Sequence, residues 1–324
     1  MDFDLVKARS LLYRNVRNFF DEKGYLEVET PILSPTLIPE PTIEDFATEF
    51  TNEFRASRQL YMVPSPEIFM KRILAEGSPS IYQISKCFRN AEQIGHLHNP
   101  EFTMLEYYTV GYDEKDSIAL TEEMFCKTAI PGCPDGLKGG FEVVSMADAL
   151  KKATGLDLEA IQDYATLRKQ AVNLGLAIDP SVREGWDDTF NRIFVAFVEP
   201  ALTGSRPVCL TGYPAQIECL AENDGMTKKR WELYWDGVEI ANCYAEETDP
   251  LKVRDCFRKE YAALSAARSV SGSVIPDVDD KYWEIFRTFP KCSGVAIGMD
   301  RLLMTECKKK SIGDLILFPV SDIL

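Results

Sequence analysis

Apolar positions recur along the chain with two periods, and the points where the period changes mark its elements. Leu5, Ala8, Leu12, Val16, Phe19 and Phe20 fall at helical spacing, which predicts an amphipathic helix over 3–23 stopped at Gly24. The text GYLEVETPILSP, 24–35, then reads as a strand closed by a proline. Residues 36–56 are rich in proline and acids and read as a loop over a site. YMVPSPEIFMKRIL, 61–74, enters a helix at Pro66 and Glu67, because proline suits a first turn and an acid there suits the helix dipole. A period of two follows. Ile81, Gln83, Ser85 and Cys87 alternate with Tyr82, Ile84, Lys86 and Phe88, and 103–108 alternates likewise. Glu106 and Tyr108 therefore share one face of a strand.

From 112 to about 204 the pattern becomes mostly helical. Helices are expected over 116–127, from a Ser145 cap to about 153, and over 165–174 and 187–198, with one short strand at 141–144. Strand-like text resumes at 207–218. In WELYWDGVEIANCYAE, 231–246, Asp236-Gly237 signals a tight hairpin between alternating runs. Asn242, Tyr244 and Glu246 then lie on one strand face. A surface helix is expected over 249–268, and CSGVAIGMDRLLM, 292–304, reads as a strand leading into a helix that opens at Asp300-Arg301.

Composition narrows the class. The chain has 324 residues, 45% hydrophobic and 27% charged, as for a water-soluble globular protein. It contains no apolar run of membrane-spanning length, and its acidic start does not read as a secretory signal. Nine cysteines without a Cys-x-x-Cys pair disfavour a disulfide framework or a zinc ribbon and point to a reducing cytoplasm. A net charge of −15 argues against tRNA or another polyanion as the main partner.

The chemistry concentrates in 81–108, which holds both histidines of the chain. Arg89 is a permanent planar cation suited to phosphate or carboxylate, and Phe102 is a flat apolar surface suited to a base. Read alone, an ordinary hairpin with a long charged loop accounts for this stretch as well. Glu232 and Glu239 lie among aromatic and aliphatic residues, where uncompensated carboxylates are costly, which suggests bound cations. Gly294 and Gly298 permit close backbone approach ahead of a helix N-terminus that favours anions.

FRN…HNPEFTMLEYY resembles motif 2 of the class II aminoacyl-tRNA synthetases, and His98 to Glu106 fits the lysyl branch. Residues 24–35 resemble motif 1, and GMDRLLM followed by ILFPV resembles motif 3. The resemblance spans essentially the whole chain. It implies an α+β fold, an antiparallel sheet flanked by helices, as a single catalytic domain over 1–324 with a helical insertion at 112–204. It also implies a homodimer formed through motif 1, and ATP and Mg2+ as cofactors.

The resemblance assigns roles residue by residue. Arg89 bridges the α-phosphate and the substrate carboxylate, Glu92 contacts the adenine end, His98 with neighbouring Asn99 meets ATP, Phe102 stacks on adenine and Arg301 holds the γ-phosphate. Glu232 and Glu239 ligate magnesium, and Asn242 contacts the substrate carboxylate. Glu67 faces the substrate amino group, while Glu246 and Tyr108, with Glu106 and Tyr244 nearby, receive the distal ammonium of a lysine-type side chain. One departure is visible: the family spaces its acid as Arg-x-Glu, whereas Asn90 and Ala91 separate Arg89 from Glu92 here. The implied reaction forms an aminoacyl-adenylate. Because the first catalytic helix begins near residue 3, the chain is similar to the stand-alone paralogues that lack the anticodon-binding domain and pass (R)-β-lysine to elongation factor P. Ser65 and Ala296 are similar to those paralogues too. A lysyl-type enzyme with another acceptor or amino acid, and a non-catalytic regulatory relative, are the alternatives.

Overall fold

The computed structural model describes residues 2–91, 95–177 and 184–323. The opening amphipathic pattern folds as α1 (Phe3–Glu22), capped by the Asp2 carboxylate. Short strands β1 (Leu26–Glu27) and β2 (Leu33–Ser34) precede a hairpin of β3 (Ala47–Asn52) and β4 (Arg55–Met62). Next come α2 (Glu67–Ala75), β5 (Ile81–Phe88), β6 (Glu101–Val110) and α3 (Glu114–Thr128). A mostly helical stretch carries β7 (Glu142–Ser145), α4 (Met146–Thr154), α5 (Tyr164–Asn173) and α6 (Trp186–Ile193). The chain then runs through β8 (Val208–Pro214), β9 (Asn223–Asp224), β10 (Thr227–Trp235), β11 (Val238–Ala245), α7 (Pro250–Ser271), β12 (Cys292–Gly298) and α8 (Met299–Glu306).

The main sheet has the order β1-β5-β6-β12-β11-β10-β8-β7, with β9 paired to β10. From β5 to β8 every neighbour is antiparallel, and parallel pairs close the two edges at β1–β5 and β7–β8. Asp236 and Gly237 both hold positive φ, 49° and 75°, which matches the twist of a two-residue turn joining β10 to β11.

The pleat sorts the chemistry. Tyr82, Tyr107, Val295, Cys243 and Trp231 are successive cross-strand partners and all are buried. They pack with Leu12, Val16 and Phe20 of α1, Met124 of α3, and Leu302 and Leu303 of α8. Truncating an aromatic side chain in such a layer to alanine costs about 3–5 kcal/mol. Because side chains alternate across a strand, the neighbouring positions 83, 106, 296, 242 and 232 must face the other way. A second apolar cluster of Ile68, Met70, Leu74, Tyr108, Val253, Tyr282 and Phe286 joins α2 and α7 to that opposite face.

One expectation needs correction. Residues 36–56 are not a loop throughout, because 47–52 and the chain from 55 onward pair as β3–β4. All six residues of β3 are exposed, so charged and polar side chains on both faces hide the alternation that would reveal a strand. Within the mostly helical 112–204 stretch, the short strand expected at 141–144 forms one residue later. This strand, β7, extends the main sheet, pairing with β8 over Glu142–Val208 to Ser145–Thr211.

Candidate active site

Two adjacent cross-strand rows form the floor of the site. The first runs Gln83, Glu106, Ala296, Asn242, Glu232, and the second Ile81, Tyr108, Gly294, Tyr244, Arg230. Over this floor lies a cavity of about 270 Å³. Ser65 and Glu67 enter it from the start of α2, Arg89 and Phe102 from β5–β6, Glu239 from β11 and Arg301 from α8.

One end is set up for anions. The Arg89 guanidinium lies over the Phe102 ring, 5.2 Å from its centroid, and its buried Nε has no hydrogen-bond partner among the described residues. Arg301 donates through Nη1 to the Glu239 carbonyl at 2.8 Å and through Nε to the Leu97 carbonyl at 3.3 Å. Its Nη2 lies 3.0 Å from His98 Nε2. Arg301 thus ties the return loop of β5–β6 to β11. The neighbouring Asp300 fixes this corner, accepting from the Thr103 amide at 2.7 Å and pairing with Arg9 at 2.7 Å.

The other end is acidic. Glu106 is buried, and burial pushes its carboxyl up to about 8, with Glu67 adding to the effect and Ser65, Lys71 and Tyr108 opposing it. Burial likewise pushes Glu246 up to about 7, against the pull of Lys71. The fully buried Lys71 ammonium reaches Glu67 at 2.6 Å and Glu246 at 2.7 Å. Desolvation would lower its pKa, but the two carboxylates outweigh that and raise it well above the ordinary lysine value. Glu67, Glu106 and Glu246 therefore share a single buried lysine, and an arriving ammonium group relieves the imbalance. Gly294 makes room for this arrangement. A Cβ there would lie 2.5 Å from both Glu246 Oε1 and Tyr108 Cε1.

The two carboxylates expected to hold a cation behave differently. Glu239 is pushed up to about 7, first by burial and then by Glu232, while Arg301 opposes. Glu232, buried outside the cavity lining, is compensated within the chain. It accepts from Tyr213 at 2.6 Å, and from Tyr234 and the Arg230 guanidinium. Arg230 is itself sandwiched by Tyr213 and Tyr244, at 4.5 and 5.3 Å from their ring centroids. Glu239 fits Mg2+ as an oxygen donor whose charge a hard cation would relieve, whereas Glu232 would join it only by giving up one of its protein partners. Among the described residues no group of three or more His, Cys, Asp and Glu forms a metal set, so phosphate and water oxygens would complete the shell.

A family comparison covers nearly the whole chain: residues 3–322 match the tRNA synthetases class II (D, K and N). The chain belongs to that family. Among curated relatives of this class II synthetase, the elongation factor P–(R)-beta-lysine ligase of Hamiltonella defensa subsp. Acyrthosiphon pisum is 33% identical, covering 96% of this chain and 94% of that protein. The ligase of the same name from Proteus mirabilis is 34% identical over 98% of this chain and 94% of its own. A lysine–tRNA ligase of Carboxydothermus hydrogenoformans is 32% identical over 96% of this chain but only 64% of its own length.

In this class II synthetase the sequence-derived candidates Ser65, Glu67, Arg89, His98, Asn99, Phe102, Glu106, Tyr108, Glu239, Asn242, Tyr244, Glu246, Ala296 and Arg301 all line one cavity. Glu92 lies outside the described residues. The Asn99 amide is engaged at both ends, donating to the Glu101 carbonyl at 2.5 Å and accepting from the Val320 amide at 3.0 Å, so it pins the C-terminal segment. Sequence reasoning missed Lys71, Arg230 and Glu40. Lys71 had a local signal, standing one helical turn after Glu67. Glu40, which also lines the cavity, had none beyond lying between two prolines.

Proposed function

We propose that this chain activates a lysine-type diamino acid, (R)-β-lysine, with ATP and transfers it to a lysine ε-amine of elongation factor P. The observation that carries the reading is the division of one cavity into a cationic end, Arg89 and Arg301 with His98 beside them, and an acidic end, Glu67, Glu106 and Glu246. The ligase names of full-length relatives from two organisms support the β-lysine and the acceptor. A net charge of −15 weighs against tRNA. We read the chain as one catalytic unit with 112–204 inserted. Exposed Leu26, Ile32 and Leu33 around the motif 1 segment suit a homodimer contact. No helix of the described residues is long and apolar enough to cross a membrane, and the absence of disulfide patterning agrees with a cytoplasmic enzyme.

Activation needs no general base, because the attacking carboxylate is already ionised at neutral pH. A carboxylate oxygen attacks the α-phosphorus, the bond to the bridging oxygen breaks, and pyrophosphate leaves. Arg89 holds the α-phosphate and the carboxylate together, and Asn242 steadies the carboxylate from the floor. Phe102 stacks on adenine, and Arg301 and His98 hold the terminal phosphates. This is positioning and charge stabilisation. Mg2+, held by Glu232 and Glu239, would supply further charge neutralisation on the phosphates. Glu67 takes the amine near the carboxylate, and Glu246, with Glu106, Tyr108 and neighbouring Tyr244, takes the distal ammonium. The acceptor amine then attacks the acyl carbon, AMP leaves, and the amine proton passes to solvent.

Ala296 sits between Glu106 and Asn242 on the floor, so its methyl group narrows the space beside the substrate backbone. One methyl against a close-fitting ligand discriminates by roughly 1–3 kcal/mol, enough to favour a β- over an α-amino acid. Ser65, which also lines the cavity and counters the upward shift of Glu106, shapes the same wall. Pyrophosphate exchange across α- and β-amino acids tests the reading. The expected order is (R)-β-lysine ahead of L-lysine, and exchange only with a non-basic amino acid would overturn it.

A further inference from the structure

Glu40 enters the cavity from the segment between β2 and β3, and no part of the mechanism above uses it. That segment is fixed from both sides. Arg268 of α7, only 2% exposed, donates to the Val274 carbonyl at 2.6 Å and to Asp45 at 2.6 Å. It also reaches the carbonyls of Ile43 and Glu40, the latter at 3.5 Å. On the other side the Asn90 amide, next in chain to Arg89, donates to the Glu44 carbonyl at 2.8 Å. Pro39 and Pro41 stiffen the backbone around Glu40 itself.

So held, the Glu40 carboxylate makes no hydrogen bond or ion pair to the described residues, and the residue is only partly buried at the cavity wall. Its burial pushes it up to about 7, Glu67 adds to that, and Arg89 opposes. Asp45 and Glu260 contribute further repulsion. A ligand that fills the cavity would strip the remaining water from this carboxylate, and a cationic group on that ligand offsets the cost. Glu67 is the common neighbour of Glu40 and of the Lys71–Glu246 pair. Both carboxylates thus feel Glu67, Glu40 together with Arg89 and Glu246 together with Lys71.

We propose that Glu40 is a specificity-determining residue that joins Glu67 in holding the substrate amine nearer the carboxylate, so that the cavity selects diamino acids over monoamino acids. This rests on the reading that the cavity takes a lysine-type substrate. It adds a residue that senses whether the second amine is present.

The test is calorimetric binding, with a non-hydrolysable ATP analogue present, of (R)-β-lysine, L-lysine and 6-aminohexanoate to wild type and Glu40→Gln. The last compound keeps the carboxylate and the distal ammonium and lacks the second amine. Loss of one charge-assisted contact should weaken both diamino acids about 10- to 100-fold in Glu40→Gln and leave 6-aminohexanoate within about twofold. Equal weakening of all three would mean a merely structural role and overturn the proposal, as would no change. A wild type that binds the diamino acids no more tightly than 6-aminohexanoate overturns it as well. Selectivity lost in the variant, with no transfer to elongation factor P by the wild type, would sink the acceptor and leave Glu40 standing.

Discussion

Lys71 Nζ lies 2.7 Å from Glu246 Oε2, 175 positions away in sequence, with both side chains closed off from solvent. The same ammonium bonds Glu67. Replacing Lys71 by methionine keeps the volume and strands the buried Glu246 and the part-buried Glu67. Breaking such a pair costs roughly 3–5 kcal/mol. Urea unfolding of Lys71→Met at pH 8.5 should show a loss of that order, and a smaller one at pH 5.5, where Glu246 takes up a proton. A loss below about 1 kcal/mol at pH 8.5 would contradict the charge account.

The pH dependence of wild-type stability follows from carboxyls shifted in one direction. Glu106 lies at about 8, and Glu40, Glu239, Glu246 and Glu306 at about 7, each raised chiefly by burial. A raised carboxyl binds its proton more tightly in the folded state. Its contribution is complete below the ordinary carboxyl pKa and is lost as pH rises through 7 to 8. The melting temperature of the free enzyme should therefore fall between pH 5 and pH 9. Diamino acid, ATP and Mg2+ together should restore more of it at pH 8.5 than at pH 6. A melting temperature that rises over that interval would contradict these shifts.

Gly294 is required by close approach and not by turn geometry. A methyl group there meets Glu246 and Tyr108 at 2.5 Å, and neither partner is free to swing away. Gly294→Ala should destabilise by about 1–3 kcal/mol. It should raise KM for the amino acid far more than KM for ATP, because the displaced groups line the acidic end only. Parallel rises in both constants would argue against the assignment of the two ends.

Arg89 keeps a buried Nε without a hydrogen-bond partner among the described residues, as expected of a group reserved for a ligand. Arg89→Lys should leave the melting temperature within a few degrees and lower kcat by about 10²- to 10³-fold in pyrophosphate exchange. Unchanged exchange would remove Arg89 from the α-phosphate.

The period of two announced that Glu106 and Tyr108 share a face, and Asn242, Tyr244 and Glu246 likewise, because alternation is a local property of extended backbone. Which strands become neighbours is not local. Gly294 is explained only once it lies opposite both Tyr108 and Tyr244. Glu232 read as an uncompensated charge because Arg230 and Tyr234 stand two positions to either side of it, on the same face, and Tyr213 arrives from another strand. Lys71 was legible as a helical partner of Glu67, but not as the partner of Glu246. The β3–β4 hairpin was hidden because both of its faces meet water along β3. Glu40 sits in a segment whose course is set by Arg268, more than two hundred residues later.

The central claim is transfer of an activated β-lysine to a protein lysine. The direct measurement is the intact mass of purified elongation factor P after incubation with the enzyme, ATP, Mg2+ and (R)-β-lysine, beside a parallel reaction holding tRNA and L-lysine. The account predicts a mass gain of one lysyl group on elongation factor P, absent when ATP is omitted, with little or no charging of tRNA. An unmodified elongation factor P beside efficiently charged tRNA would contradict it.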